Sequence, residues 1–391
     1  MSAPRLLAGP DPSRGSERRA EHVARLGPLP KGGHALVELL VHTGLTGRGG
    51  AGFPVGLKWR AVAASSHGSA VVIANGAEGE PHSRKDRLLM TSRPHLILDG
   101  AMLAAASVHA KQVVLYIGED HRAALRSMSE ALAERTDHER RLMRIVPAPA
   151  RYVAGDSSAT VHLVDAGIAT PTTTPPSPRD RGVGGAATLV QNVETLAHVA
   201  LIARTGTATG TVLITVAGSV NAPGVLEVNA GTPLGDAVQL AGGASEPARA
   251  VLLGGYFGQW VPAADAWTLP IDPQALHARG LSLGCGVIGL LPTSRCPVCE
   301  VAGIMRYLAS ESSAQCGPCF FGLRALADAC TRIADRGTDP GDLQRLQRWS
   351  AEVYGRGACK HPDGAVMFLL SAMKTFGDDF AQHPAHLRRT A

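Results

Sequence analysis

The chain has 391 residues, enough for two or three domains with cores of their own, and 45% of them are apolar, which excludes a disordered chain. The formal charge is +5, its arginines gather toward the ends (Arg5, Arg14, Arg18, Arg19, Arg25, Arg388 and Arg389), and no basic stripe is interleaved with the scarce aromatics, so no nucleic-acid partner is expected. No run approaches the ~20 apolar residues of a membrane span, and the N-terminus lacks the order of a signal peptide. A cytoplasmic protein is expected, at most peripheral to a membrane complex. Seven cysteines then point to metal or redox chemistry rather than disulfides, and five of them lie between Cys296 and Cys330.

Residues 1–33, rich in Pro, Gly and Arg, are expected to form a loose leader. "HALVELLVHTG" predicts a short helix ended by Gly44, and after a glycine-dense loop "PVGLKWRAVAA" predicts another, with Pro54 in its first turn. "SAVVIAN" and "QVVLYIGED" predict buried strands, each followed by a helix ("PHLILDGAMLAAASVHA", "HRAALRSMSEALAER"). This alternation indicates an α/β layer on a parallel sheet over residues 34–207. "TPTTTPPSPRDRGVGG" reads as an extended surface loop. Over residues 208–275 the texture changes. Two β-branched strands turn at Pro223-Gly224, "TPLGDAVQLAGG" predicts a helix capped by Thr232, and "AVLLGG" returns as a strand, a small α+β module. Residues 276–391 become helical from about Pro292, and Leu369, Met373, Phe376 and Phe380 mark the buried stripe of a last bundle helix.

Two stretches carry cofactor signals. "GLTGRGGAGFPVGLKW" contains Gly47-x-Gly49-x-x-Gly52, formally a dinucleotide fingerprint, but it follows a helix where the fingerprint needs a strand. Its glycines leave backbone N–H groups open to a phosphate, the helix behind them offers its positive end, and Arg48 and Lys58 add charge. A flexible surface loop fits the same composition. Asn75, Glu78 and Glu80 follow the first strand, where ligands of α/β sheets sit, although a solvated polar loop fits there too.

The cysteines allow two sites by spacing. Cys296-x-x-Cys299 and Cys316-x-x-Cys319 match a four-cysteine zinc site, whereas Cys285 and Cys330 read as small buried hydrophobes. Ser313, three residues before Cys316, stands where an iron–sulfur run would place another cysteine.

Taken together, "GRGGAGFPVGLKW", "NGAEGEP…KDR", "YVAGDSSA", "QNVETLA" and "ESSAQCGPC" resemble, in order, the flavin-bearing, NADH-oxidising subunit of respiratory complex I. Its relatives are the diaphorase subunits of NAD-reducing hydrogenases and NAD-linked formate dehydrogenases. The resemblance runs from about residue 33 to the end. It implies a Rossmann-like FMN domain (34–207), a β-grasp ligand-binding domain (208–275) and a helical iron–sulfur domain (276–391). It implies an FMN site of Gly47, Gly49, Gly50, Gly52, Lys58, Asn75, Glu78, Tyr152, Gly155, Asn192 and Thr195, with Asp156 where the family has a glutamate. Glu80 would line the NADH pocket as the catalytic residue, and Phe53 would stack on the NADH ring. Cys316, Cys319 and Cys359 would hold a [4Fe–4S] or [3Fe–4S] cluster, with Ser313 at the first ligand position. Hydride would pass from NADH to FMN, then single electrons through the cluster to a ferredoxin-like or thioredoxin-like iron–sulfur subunit.

The chain also departs from the family. Ala77 replaces an acidic residue, the stretch bordering the adenine is Thr174-Pro175-Pro176-Ser177, which lacks a cation and a ring, and an aromatic is missing near Arg60-Ala61. Stacking is worth ~0.5–1.5 kcal/mol per ring, so weakened NADH binding is expected. Two alternatives follow: a flavin and iron–sulfur subunit that no longer uses NADH, or a non-catalytic scaffold with a zinc site.

Overall fold

Apolar runs of four to seven residues, separated by helices, leave the chain little choice but a parallel sheet covered on both faces. In a computed structural model, which describes residues 5–337 and 339–383, that sheet has four strands. They are β1 (Ala70–Gly76), β2 (Ala110–Gly118), β3 (Met143–Ala148) and β4 (Thr188–Asn192), ordered β3-β2-β1-β4 and parallel throughout. The chain steps outward from β1 to β3 and then returns to the far side of β1. The order therefore reverses between β1 and β4, and the carboxyl ends of strands at such a reversal form the natural ligand crevice of an open α/β sheet.

By internal contacts the chain divides into two units, Met1–Ile214 with Val225–Ala230, and Thr215–Gly224 with Gly231–Ala391. The division falls inside β5 (Thr211–Gly218), and β6 (Gly224–Asn229) follows it. In the second unit lie β7 (Ala248–Leu253), β8 (Gln259–Pro262) and β9 (Val287–Pro292). There the end of β5 pairs in parallel with β9, β9 antiparallel with β7, and β7 with β8. The expected helix of this module starts one position late, at Leu234–Leu240, with Pro233 rather than Thr232 at its cap.

The helical end consists of Pro297–Ser310, Arg324–Arg336, Pro340–Val353, His361–Thr375 and Gly377–Gln382. What reads as one last helix breaks at Phe376, yet its stripe holds: Leu369, Phe376 and Phe380 are buried and Met373 half-buried.

The loose leader is a correction. Residues Arg19–Leu26 form a helix whose His22 is buried and hydrogen-bonded through Nε2 to Asp99 at 2.8 Å. Asp99 also accepts from Arg135 at 2.7 Å and from Arg204. The Arg93 guanidinium donates to the carbonyls of Leu7, Ala8 and Pro10, and the Glu227 carboxylate accepts from the N–H groups of Leu6 and Leu7. Charges that read as solvated are thus the partners of a buried network. Residues 1–4 of the leader, and Arg388 and Arg389, lie outside the described residues.

Candidate functional site

The crevice at the strand reversal is built by two asparagines. Asn75 lies near the end of β1, Asn192 ends β4, and the two are paired across the strands. Asn75 Nδ2 donates to the Gly155 carbonyl at 2.9 Å and its Oδ1 accepts from the Ala77 N–H, which holds the Tyr152–Gly155 turn over the strand end. Asn192 Oδ1 caps the helix Val193–Thr205, accepting from Glu194 and Thr195 N–H, while its Nδ2 donates to Asp86 at 2.6 Å.

The glycine loop follows a helix, as its sequence context says, and reaches the crevice by another route. Thr46 bridges Pro54, and Gly47 N–H donates to the Phe53 carbonyl at 2.9 Å, so the loop closes on itself. Arg48 N–H donates to Thr195 Oγ1 at 2.9 Å, and a Cβ at Gly49 would stand 3.1 Å from that of Asn192. The loop is therefore fastened to the end of β4. Gly50 (φ +108°) and Gly52 (φ +63°) occupy left-handed backbone, and a Cβ there would meet nothing within 4 Å. Only glycine holds that shape readily, and it leaves an open backbone cradle just ahead of the helix Val55–Ser65, whose first N–H groups complete an anion site. Phe53 is 51% exposed. Lys58 donates to the Val190 carbonyl, and burial pushes its amine down to about 8. These residues fit a flavin nucleotide: open donors for a phosphate, one cation, and amides at the strand ends.

The acidic candidates divide. Glu78, at φ +43°, accepts from Ser83 Oγ (2.7 Å) and from the N–H groups of Asp86 (2.8 Å) and Arg87 (2.9 Å), so its carboxylate caps the helix Lys85–Ser92. Asp156 caps the helix Ser157–Ala166 in the same way, through Ser158 and Ala159 N–H. Each carboxylate is committed to holding a loop. Glu80 is buried and accepts from the Tyr152 hydroxyl at 3.2 Å. A Cβ at Gly79 would lie 2.9 Å from the Tyr152 carbonyl, so glycine is what lets these two loops meet.

Beneath the crevice lies a charge cluster that the sequence did not reveal. Lys85 Nζ contacts Asp86 at 2.7 Å and Glu194 at 2.8 Å, all three nearly inaccessible to water. Burial opposes the Lys85 charge, but Asp86, Glu194 and Glu78 outweigh it and hold the amine protonated. Burial pushes Asp86 up to about 7 against the pull of Lys85, whereas Lys85 and His198 overcome burial at Glu194 and hold it down at about 2. Asp86 orients Asn192, and Glu194 accepts from Leu213 N–H, so the cluster positions the strand end. "KDR" and "VET" stand in the quoted stretches, but nothing in them says that their charges face each other in the interior.

At the cysteines, Cys316 precedes a wide π-helical turn, Pro318–Leu323, and Cys319 within it is 1% exposed. Burial pushes the Cys319 thiol up to about 12, with the neighbouring Cys316 and Cys359 thiols adding to the effect. Cys316 and Cys359 therefore both lie within electrostatic reach of Cys319. Soft donors around a buried centre suit iron, which must displace their protons. Ser312, not considered from sequence, is buried and hydrogen-bonds the Cys319 thiol, whereas Ser313 is half-buried. The four-cysteine zinc set does not assemble, because Cys296 and Cys299 group instead with His383. Among the described residues no cysteine is in a disulfide.

The departures have definite places. Ala77 sits in an apolar cluster with Ile73, Val114 and Tyr116. Thr174, Pro175 and Pro176 are exposed, and Arg60 pairs with Glu38 at 2.7 Å.

Known proteins share this layout. Residues 40–201 match the Nuo51 FMN-binding domain, 300–383 the NADH-ubiquinone oxidoreductase-F iron-sulfur binding region, and 213–255 the SLBB domain. The chain is 30% identical over 374 residues to an NADH-quinone oxidoreductase F-type subunit of Rhizobium meliloti (strain 1021), covering 89% of this chain and 88% of that protein. It belongs to the family of NADH-quinone oxidoreductase F-type subunits. The corresponding protein of Salmonella typhimurium (strain LT2) is 30% identical over 378 residues, covering 88% of this chain and 83% of that one. A solved NAD+-reducing [NiFe]-hydrogenase in the H2-reduced state superposes with a TM-score of 0.81 at 28% identity, over 90% of this chain. This chain spans 63% of the length of that hydrogenase chain. The FMN-binding match contains the glycine loop and both asparagines, and the iron–sulfur match contains Cys316, Cys319 and Cys359 but begins just after Cys296 and Cys299.

Proposed function

We propose that this chain is an NADH dehydrogenase-type flavoprotein that holds FMN in the Asn75–Asn192 crevice and an iron–sulfur cluster on Cys316, Cys319 and Cys359. The observation that carries the reading is the glycine loop fastened through Arg48 to Thr195 at the strand reversal, in a chain where Cys316 and Cys359 lie within electrostatic reach of buried Cys319. When bound, FMN and the cluster supply the conversion of a hydride into single electrons. The protein's own share is placement. The N–H groups of Gly49, Gly50 and Gly52 and the Lys58 ammonium receive the anionic end of the flavin nucleotide. Asn75, Gly155 and Asn192 fix the strand ends that would hold the flavin. Glu80, oriented by the Tyr152 hydroxyl, lines the NADH side, and exposed Phe53 offers a stacking face. Glu78 and Asp156 act through the helices that they cap.

Three thiolates leave one corner of a [4Fe–4S] cluster, and Ser313 is assigned to it; a [3Fe–4S] cluster would need no fourth ligand. The acceptor in this reading is a ferredoxin-like or thioredoxin-like iron–sulfur subunit and the place the cytoplasm; the relatives are named as subunits, and no helix among the described residues is long and apolar enough to cross a membrane. The organisation is four parts: 1–33, the FMN domain 34–207, the β-grasp domain 208–275 and the iron–sulfur domain 276–391. A second reading, in which flavin and cluster are kept and NADH is not the donor, is favoured by the exposed Thr174-Pro175-Pro176 stretch without cation or ring. Anaerobic addition of NADH to the FMN- and iron-loaded protein separates the two readings.

A further inference from the structure

We propose that Cys296, Cys299 and His383 form a second metal site, for a single thiolate-preferring divalent ion of the zinc type, distinct from the cluster. Their donor atoms, two sulfurs and one imidazole nitrogen, all lie within 4.8 Å of one another. Cys296 Sγ stands 3.8 Å from His383 Nδ1. A tetrahedral ion with metal–sulfur and metal–nitrogen bonds of about 2.3 and about 2.0 Å sets that separation near ~3.5 Å. An adjustment of a few tenths of an ångström would bring this pair to that separation.

The surroundings orient the donors. His383 Nε2 lies 3.2 Å from the Ala334 carbonyl, which can only accept, so Nε2 carries the proton and Nδ1 turns its lone pair toward Cys296. An imidazole anchored through its second nitrogen is the usual arrangement of a metal-bound histidine. Cys296 caps the helix Pro297–Ser310, and Cys299 N–H donates to Cys296 Sγ at 3.3 Å. Two sulfurs and a nitrogen select zinc-like ions over magnesium or calcium. The fourth position falls to water or to Asp335, which lies within electrostatic reach of Cys299.

The place is separate from the cluster. Cys299 lies in the first turn of the helix and Ser310 ends it, about 17 Å away at 1.5 Å per residue, and the cluster loop follows Ser310. An ion here would clasp the start of this helix to the segment after Gly377–Gln382, a structural role that needs no electron.

Cobalt(II) is the probe, added anaerobically to the metal-stripped full chain carrying Cys316→Ala, Cys319→Ala and Cys359→Ala, so that the cluster thiols cannot contribute. The expected result is one cobalt per chain with thiolate-to-cobalt charge-transfer and tetrahedral ligand-field bands, all lost in Cys296→Ser. His383→Gln, which leaves both thiols in place, should weaken cobalt at least ~10-fold and stands in should Cys296→Ser fail to fold. Absence of tetrahedral thiolate bands, or equal affinity after His383→Gln, would overturn the site.

Discussion

The backbone N–H of Arg48 donates to Thr195 Oγ1 at 2.9 Å, joining the glycine loop to the first turn of the helix behind β4. Thr195 is fully buried, and Thr195→Val keeps its shape while removing the acceptor. Losing a buried partner costs ~1–3 kcal/mol, which should weaken FMN by about 5- to 150-fold, whereas Thr195→Ser should bind as wild type does. Flavin-fluorescence titration checks this, and unaltered binding by the valine variant would remove the loop from the site.

Lys58 links pH to flavin affinity. Burial pushes its amine down to about 8, so the free protein loses this cation as pH rises through that value. FMN affinity should be nearly flat just below about pH 7.5 and fall toward about tenfold per unit above about pH 8, because the phosphate, with a second pKa of about 6, is already doubly charged. Lys58→Met should bind more weakly at about pH 7 and lose the slope. A slope retained in the methionine variant would place the titrating group elsewhere.

Asp99 ties the N-terminal helix to the FMN domain. Burial opposes its charge and that of Glu17, but His22 with arginines outweighs it, holding Asp99 well below the usual carboxylate range and Glu17 down at about 2. Burial works the other way on His22, yet Asp99 and Glu17 raise it above its ordinary value. The carboxylate contribution is therefore complete above about pH 4 and lost as pH falls toward about 2. The His22 contribution is complete below about pH 6.5 and lost as pH rises through its raised value. Asp99→Asn should cost ~3–5 kcal/mol, lowering Tm by about 10 °C, and should flatten both flanks of the stability profile. Scanning fluorimetry across pH reads both effects.

At the cluster, Ser313→Cys should restore a fourth thiolate and slow iron loss in air severalfold, with Cys359→Ala abolishing iron retention. Iron and sulfide content after timed air exposure decides. If Ser313→Cys changes nothing, Ser313 is not at the ligand corner, and Ser312, which hydrogen-bonds Cys319, becomes the residue to replace.

Much of the crevice was legible because it lies in short local signals. Asn75 closes an apolar run, and the glycines open a loop before a helix, so their roles follow from chain direction and φ. The glycine loop's anchoring was not legible: it depends on Thr195, far along the chain, and no periodicity reports a contact of that range. Glu78 and Asp156 show a second limit. An acid just ahead of a helix can face a ligand or cap the helix, and only the structure shows both spent on caps. Lys85 and Glu194 were hidden because charged residues within helices read as solvated, and His22 with Asp99 misled the reading of the leader for the same reason. His383 joins Cys296 and Cys299 across the bundle, beyond any spacing rule.

NADH as the electron donor is tested most directly by anaerobic titration of the FMN- and iron-loaded protein with NADH, followed by absorbance. The flavin should bleach at NADH no higher than ~1 mM, the top of the usual range of Michaelis constants, with reduction of the iron–sulfur centre after it. A flavin that stays oxidised at that concentration, in protein that dithionite reduces fully, would contradict NADH as the donor.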